Sequence, residues 1–138
     1  MINIKLGIEC TSTALLSTIG TNADVFWIHL DKSVETSYIL DLVENFVFSE
    51  NLSLIMTSGK LSERLHDKFD DLFERSGDQA DTILTVWSED SFSESLWEFV
   101  NVYADRPEVR LAKILIVSES IPVQMKILDE IAAMAWAE

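Results

Sequence analysis

Residues 52–87, LSLIMTSGKLSERLHDKFDDLFERSGDQADTILTVW, decide the fold. Leu52-Ser53-Leu54-Ile55-Met56 is a short apolar run that gives way to Thr57-Ser58-Gly59-Lys60, and Thr82-Ile83-Leu84-Thr85-Val86-Trp87 is rich in β-branched and aromatic residues. Runs of this length and composition read as fully buried strands. Between them Leu61, Leu65 and Phe69 repeat at i+4, and Leu72 and Phe73 extend the stripe, which is the spacing of one helical face. Strand, helix and strand in succession form a crossover unit whose strands run parallel.

The same alternation continues on both sides. Val25-Phe26-Trp27-Ile28-His29-Leu30 and Lys113-Ile114-Leu115-Ile116-Val117 read as further buried strands, and Tyr38, Leu42 and Phe46 mark a helix after the first of them. Ser91 with Glu94 three residues on forms a capping box, which predicts a helix over 92–104 with Phe92, Leu96, Trp97 and Val100 on its apolar side. Ser120 followed by Pro122 opens a last helix that runs nearly to Glu138, with Val123, Ile127, Leu128 and Ile131 inward. At the start of the chain Ile2, Ile4, Leu6 and Ile8 alternate with polar residues, the pattern of an edge strand with one wet face. Residues 11–19 predict a short helix or a turn, stopped by Gly20.

The expectation is therefore one α/β domain over residues 1–138. It is a three-layer Rossmann-like or flavodoxin-like sandwich, with a mainly parallel sheet of four or five strands and helices on both faces. Ile28, Ile55, Leu84 and Ile116 are the predicted core. Residues 76–81 and 104–108 are the long connections, and neither divides domains.

Of the 138 residues 48% are hydrophobic, so the chain can bury a core without disulfides or metal. Against 10 Lys+Arg stand 24 Asp+Glu, a formal net charge of −14. Such a field repels nucleic acid and anionic membranes and attracts basic proteins. Cys10 is the only cysteine, which excludes an internal disulfide and a thiolate cluster. The N-terminal residues lack the pattern of a signal peptide, and the expected location is the cytoplasm.

Ligands of parallel sheets bind beyond the carboxyl ends of the strands, and the turns there carry Asp31, Thr57-Ser58-Gly59-Lys60, Ser88-Glu89-Asp90 and Ser118-Glu119-Ser120. A phosphate-binding loop would need glycine in place of Leu54 and Ser or Thr in place of Leu61, so Gly59 reads as a turn residue and Lys60 as a solvated one. Asp31, Glu89, Asp90 and Glu119 form a magnesium or receiver-type set only if they converge on a pocket. His29 reads as a satisfied strand histidine, and His66, beside Asp67, as a helix-surface group. No catalytic residue, metal or cofactor is expected, and the protein is read as a non-enzyme.

The strongest charge pattern is helical. Glu63, Asp67, Asp70 and Glu74 recur at i, i+4, i+7 and i+11, with Asp71 adjacent, and Asp90, Glu94 and Glu98 repeat the i+4 spacing. Like charges so placed weaken a helix, which partner attraction would explain. These two ridges, with Glu89, are the predicted partner-binding surface and are expected to be neighbours. Trp87 and Trp97 bracket the acidic turn, and acid interleaved with aromatics suits an Arg- or Lys-rich partner. At least one of the two is expected to be buried, Trp87 at a strand end or Trp97 beneath its helix.

Residues 63–71, 81–87 and 94–99 resemble a family of uncharacterised small bacterial proteins, a likeness that covers the middle third and implies no activity. Size, acidity and the lack of an active-site motif also resemble immunity proteins of interbacterial toxin systems of the contact-dependent growth inhibition type. That resemblance implies a monomer or weak dimer that neutralises a basic toxin domain, a nuclease, without touching nucleic acid or membrane. The alternative is a small-ligand or magnesium-dependent enzyme or sensor at the acidic carboxyl edge. A third reading, a plain subunit of an assembly, predicts an exposed apolar patch.

Overall fold

In the computed structural model, residues 5–11, 23–30, 52–59, 62–75, 83–89 and 91–135 are described. The elements are β1 (Lys5–Thr11), β2 (Val25–Leu30), β3 (Leu54–Gly59), α1 (Ser62–Arg75), β4 (Leu84–Ser88), α2 (Phe92–Glu98) with a π-helical continuation (Phe99–Ala104), β5 (Leu111–Val117) and α3 (Ile121–Ala135). The predicted helix on Tyr38, Leu42 and Phe46 lies outside the described residues, as do Asp31, Asp90, Lys60, residues 12–20 and the loop 76–81.

The five strands form one sheet in the order β1-β5-β2-β3-β4, and every neighbouring pair is parallel. The predicted α/β sandwich is thus present. From β3 to β4 the chain steps one way along the sheet, and from β4 to β5 it returns the other way. Right-handed connections running in opposite directions place their helices on opposite faces. Packing agrees: Leu65, Phe69 and Phe73 of α1 join Phe26, Ile28, Leu30, Ile55, Leu115 and Val117 in one core. Leu96, Phe99 and Val100 join Trp27, Met56, Ile114 and Ile116 in the other, together with Ile127 and Ile131 of α3.

Strand position sets burial. Ile28, Ile55 and Ile116 lie on central strands and are fully buried, as predicted. Leu84 is 53% exposed, against expectation. It sits on β4, an edge strand, where a side chain has a packing neighbour on one flank only. β1 is the opposite edge, as its alternation predicted.

Both predicted caps are present. The Ser91 hydroxyl accepts from the Glu94 N–H at 3.2 Å, and the Ser120 hydroxyl accepts from the Val123 N–H at 3.4 Å. The helix predicted over 92–104 changes pitch after Glu98, with the Asp105 N–H donating to the Val100 carbonyl at 3.1 Å, five residues back. Within this segment Ala104 is buried with Phe99 and Val100 on the sheet side, and Val102 lies outside. At the end of β3 Gly59 has φ +98°, and a Cβ there would lie 2.1 Å from the Leu30 carbonyl oxygen, so only glycine fits. At the amino edge the Asp24 carboxylate accepts from the N–H groups of Arg110 and Leu111 at 2.7 and 2.9 Å, clamping the start of β5 to β2.

Candidate functional site

Among the described residues the carboxyl edge carries a buried polar chain. Register sets His29 of β2 beside Ser58 of β3. The Trp27 indole N–H donates to the Ser58 oxygen at 2.6 Å, and the same oxygen lies 2.8 Å from His29 Nδ1. Phe92, the first residue of α2, stacks on Trp27 with centroids 5.0 Å apart and meets His29 edge-on at 4.8 Å. A serine–histidine pair suggests a nucleophile and its base. Here Ser58 is 1% exposed, so a substrate carbon has no approach to its oxygen in this conformation. What the chain does is satisfy the donor of a fully buried tryptophan.

Of the acidic residues expected at that edge, Glu89 and Glu119 do not converge. Glu89 follows β4 and Glu119 follows β5, with β3 and β2 between them, about three inter-strand spacings or roughly 14 Å. Both are exposed. Asp31 and Asp90 fall outside the described residues, so the expected four-carboxylate set is not assembled from Glu89 and Glu119. Cys10 is half-buried, and burial pushes its thiol up from the ordinary range, away from the reactive thiolate.

The two acidic ridges lie apart, contrary to the sequence expectation, because α1 and α2 cover opposite faces of the sheet. On α1, Glu63, Asp67, Asp70, Asp71 and Glu74 are all exposed, as predicted. Part of that stripe is engaged within the molecule. His66 sits between stripe and sheet, its Nδ1 3.2 Å from Asp67 and its Nε2 3.2 Å from the Thr85 carbonyl and 3.6 Å from Asp70. The Thr85 hydroxyl donates to Asp70. His66, Asp67 and Asp70 offer ligand atoms within 4.8 Å of one another. Each carboxylate faces a different ring nitrogen, however, so an ion on one nitrogen would have the other carboxylate across the ring. The geometry is that of a histidine fastening α1 to β4.

On α2 the arrangement differs. Glu94, Trp97, Glu98 and Val102 line an open groove of about 470 Å³. Trp97 is 56% exposed and Val102 40%. The expected burial of Trp97 fails because Leu96, Phe99 and Val100 take the inward face and Trp97 falls well round the helix from it. Trp87 is also exposed, at 38%, since β4 is an edge, so neither tryptophan is in the core. The Asn101 side chain donates to the Trp97 carbonyl at 2.9 Å where the π-turn begins. The Tyr103 phenol donates to Glu98 Oε1 at 3.1 Å, and the Arg106 guanidinium lies 5.8 Å over the Tyr103 ring. Burial, then the Glu98 bond, raises the Tyr103 phenol and keeps it a donor.

Val102 lies four residues after Glu98, so it continues the face of Glu94 and Glu98, and the sequence reading missed the groove because it placed Trp97 on the apolar side of the helix. Elsewhere Ile121 and Met125, one turn apart on α3, are exposed apolar side chains. Two side chains make a small patch.

Residues 9–135 match the family described as Domain of unknown function (DUF7684). The chain belongs to the DUF7684 family. No curated protein and no solved structure matches it. Among the described residues no helix of this DUF7684 domain is long and apolar enough to cross a membrane.

Proposed function

We propose that this DUF7684 domain is a non-enzymatic binding module for a basic protein, engaged through the carboxylate and tryptophan surface of α2. The observation that carries the reading is Trp97, 56% exposed between Glu94 and Glu98 in an open groove. Exposing a tryptophan forgoes a large gain from burial, and interface anchors are enriched in tryptophan. The net charge of −14 supplies long-range attraction for a cationic partner and none for nucleic acid or an anionic membrane. The α1 stripe adds to that field from the other face.

Within this reading the immunity-protein class is the specific case we favour. The partner is then a basic toxin domain, a nuclease, captured in the cytoplasm by a monomer or weak dimer that needs no cofactor. The test compares proteins retained from native cells by the parent chain and by the Glu94→Lys/Glu98→Lys variant. A basic protein kept by the first and lost by the second is expected. Its association should slow with added salt far more than its dissociation quickens, since exposed charges are screened beyond about 8 Å at physiological ionic strength. Retention of the same proteins by both would overturn the reading.

A further inference from the structure

We propose that the groove of Glu94, Trp97, Glu98 and Val102 is a socket for a single arginine side chain of the partner, in preference to lysine. The inference rests on the basic-partner reading and names the residue that meets this surface. Two carboxylates one helical turn apart flank an exposed indole, with the Val102 side chain as an apolar wall. A guanidinium can stack flat on an indole while its N–H groups reach carboxylates at its rim, and an ammonium offers only a point charge.

The molecule contains its own version of the contact. Arg106 lies over the ring of Tyr103, whose phenol is bonded to Glu98, so aromatic, carboxylate and guanidinium already meet beside the groove. Glu98 is oriented by that phenol before any partner arrives. Among the described residues no cation stands over Trp97. Val102, four residues beyond Glu98, extends the same helix face as the apolar end of the groove, within the π-helical segment, and such segments are frequent at functional sites. A cation between Glu94 and Glu98 would also relieve their i, i+4 repulsion.

The test uses fluorescein-labelled octa-arginine and octa-lysine, with binding to the full chain read by anisotropy at low salt. Octa-arginine should bind roughly two- to fivefold more tightly, the range that one stacked cation contributes at an exposed site. Trp97→Ala should remove the preference while octa-lysine binding stays near its parent value, and Trp97→Phe should keep an intermediate preference. Glu63→Gln/Glu74→Gln on α1 should weaken both peptides without changing their ratio. Circular dichroism checks that each variant is folded. Equal binding of the two peptides to the parent, or a preference that survives Trp97→Ala, overturns the socket and leaves the basic-partner reading standing. If neither peptide binds the parent at low salt, both fall.

Discussion

The outer faces of α1 and α2 carry the same sequence pattern, carboxylates four residues apart, yet they are physically unlike. On α1 the acids run along a helix whose His66 and Asp70 reach back to Thr85 of β4, so part of the charge holds helix to sheet. On α2 the acids flank a tryptophan that no described group covers, beside a turn of altered pitch. Acidic periodicity by itself therefore does not identify a binding face. The neighbours of each stripe do: on α1 the histidine and threonine that tie it to β4, on α2 an exposed tryptophan, with Glu98 engaged by the Tyr103 phenol.

The largest effects should come from the side chains that anchor each helix. Phe69→Ala beneath α1 and Phe99→Ala beneath the π-turn of α2 should each cost about 3–5 kcal/mol, read as a lower urea midpoint at unchanged slope. Leu84→Ala, on the edge strand, should stay within about 0.5 kcal/mol. A small loss at either phenylalanine would mean that its helix is not held by the core described, and the comparison of two firmly seated faces would collapse.

The interiors behind the two helices also differ. The α1 side is aliphatic and phenyl, whereas the α2 side contains the Trp27, Ser58 and His29 chain. Ser58→Ala should cost about 1–3 kcal/mol, because it leaves a buried indole N–H without an acceptor. Denaturation of this variant against the parent checks it, and a neutral result would show that another acceptor reaches Trp27.

Much of this fold is legible in the sequence because it depends on local pattern. The runs ending at Leu30, Met56 and Val117 announce central strands, and Ser91 with Glu94 announces a helix start. What is not legible depends on order in space. Leu84 looks like a core residue in its own run, and only the placing of β4 at the edge exposes it. The two acidic ridges look like neighbours along the chain, and the reversal of direction after β4 puts the sheet between them. Ser58 and His29 meet through strand register, which no motif encodes. The change of pitch after Glu98 is likewise something that capping signals do not report.

A smaller effect tests the fastening on α1. Asp70→Ala should cost about 0.5–1 kcal/mol, since the carboxylate is half exposed and screened, and it removes the acceptor of the Thr85 hydroxyl. Combined with Thr85→Val, the loss should be less than the sum of the two single losses. Strict additivity would show that the two groups do not act together and that Asp70 does not fasten α1 to β4.

The smallest effect on stability should come from the α2 face, and there the sign matters more than the size. Glu94 and Glu98 repel at i, i+4, so Glu94→Gln relieves a few tenths of a kcal/mol. It keeps the backbone N–H that Ser91 caps but gives up part of the favourable charge at the helix N-terminus. The two terms nearly cancel, and the expected change is within about 0.3 kcal/mol of zero. Trp97→Ala should be similarly mild, because more than half of the side chain is already in water and alanine is the better helix former. If the face exists for a partner, these two substitutions should barely move the denaturation midpoint and should weaken capture of a basic protein. A large loss of stability from Trp97→Ala would instead show the indole to be part of the packing, and the contrast with α1 would then fall, since Glu98 is itself engaged by Tyr103.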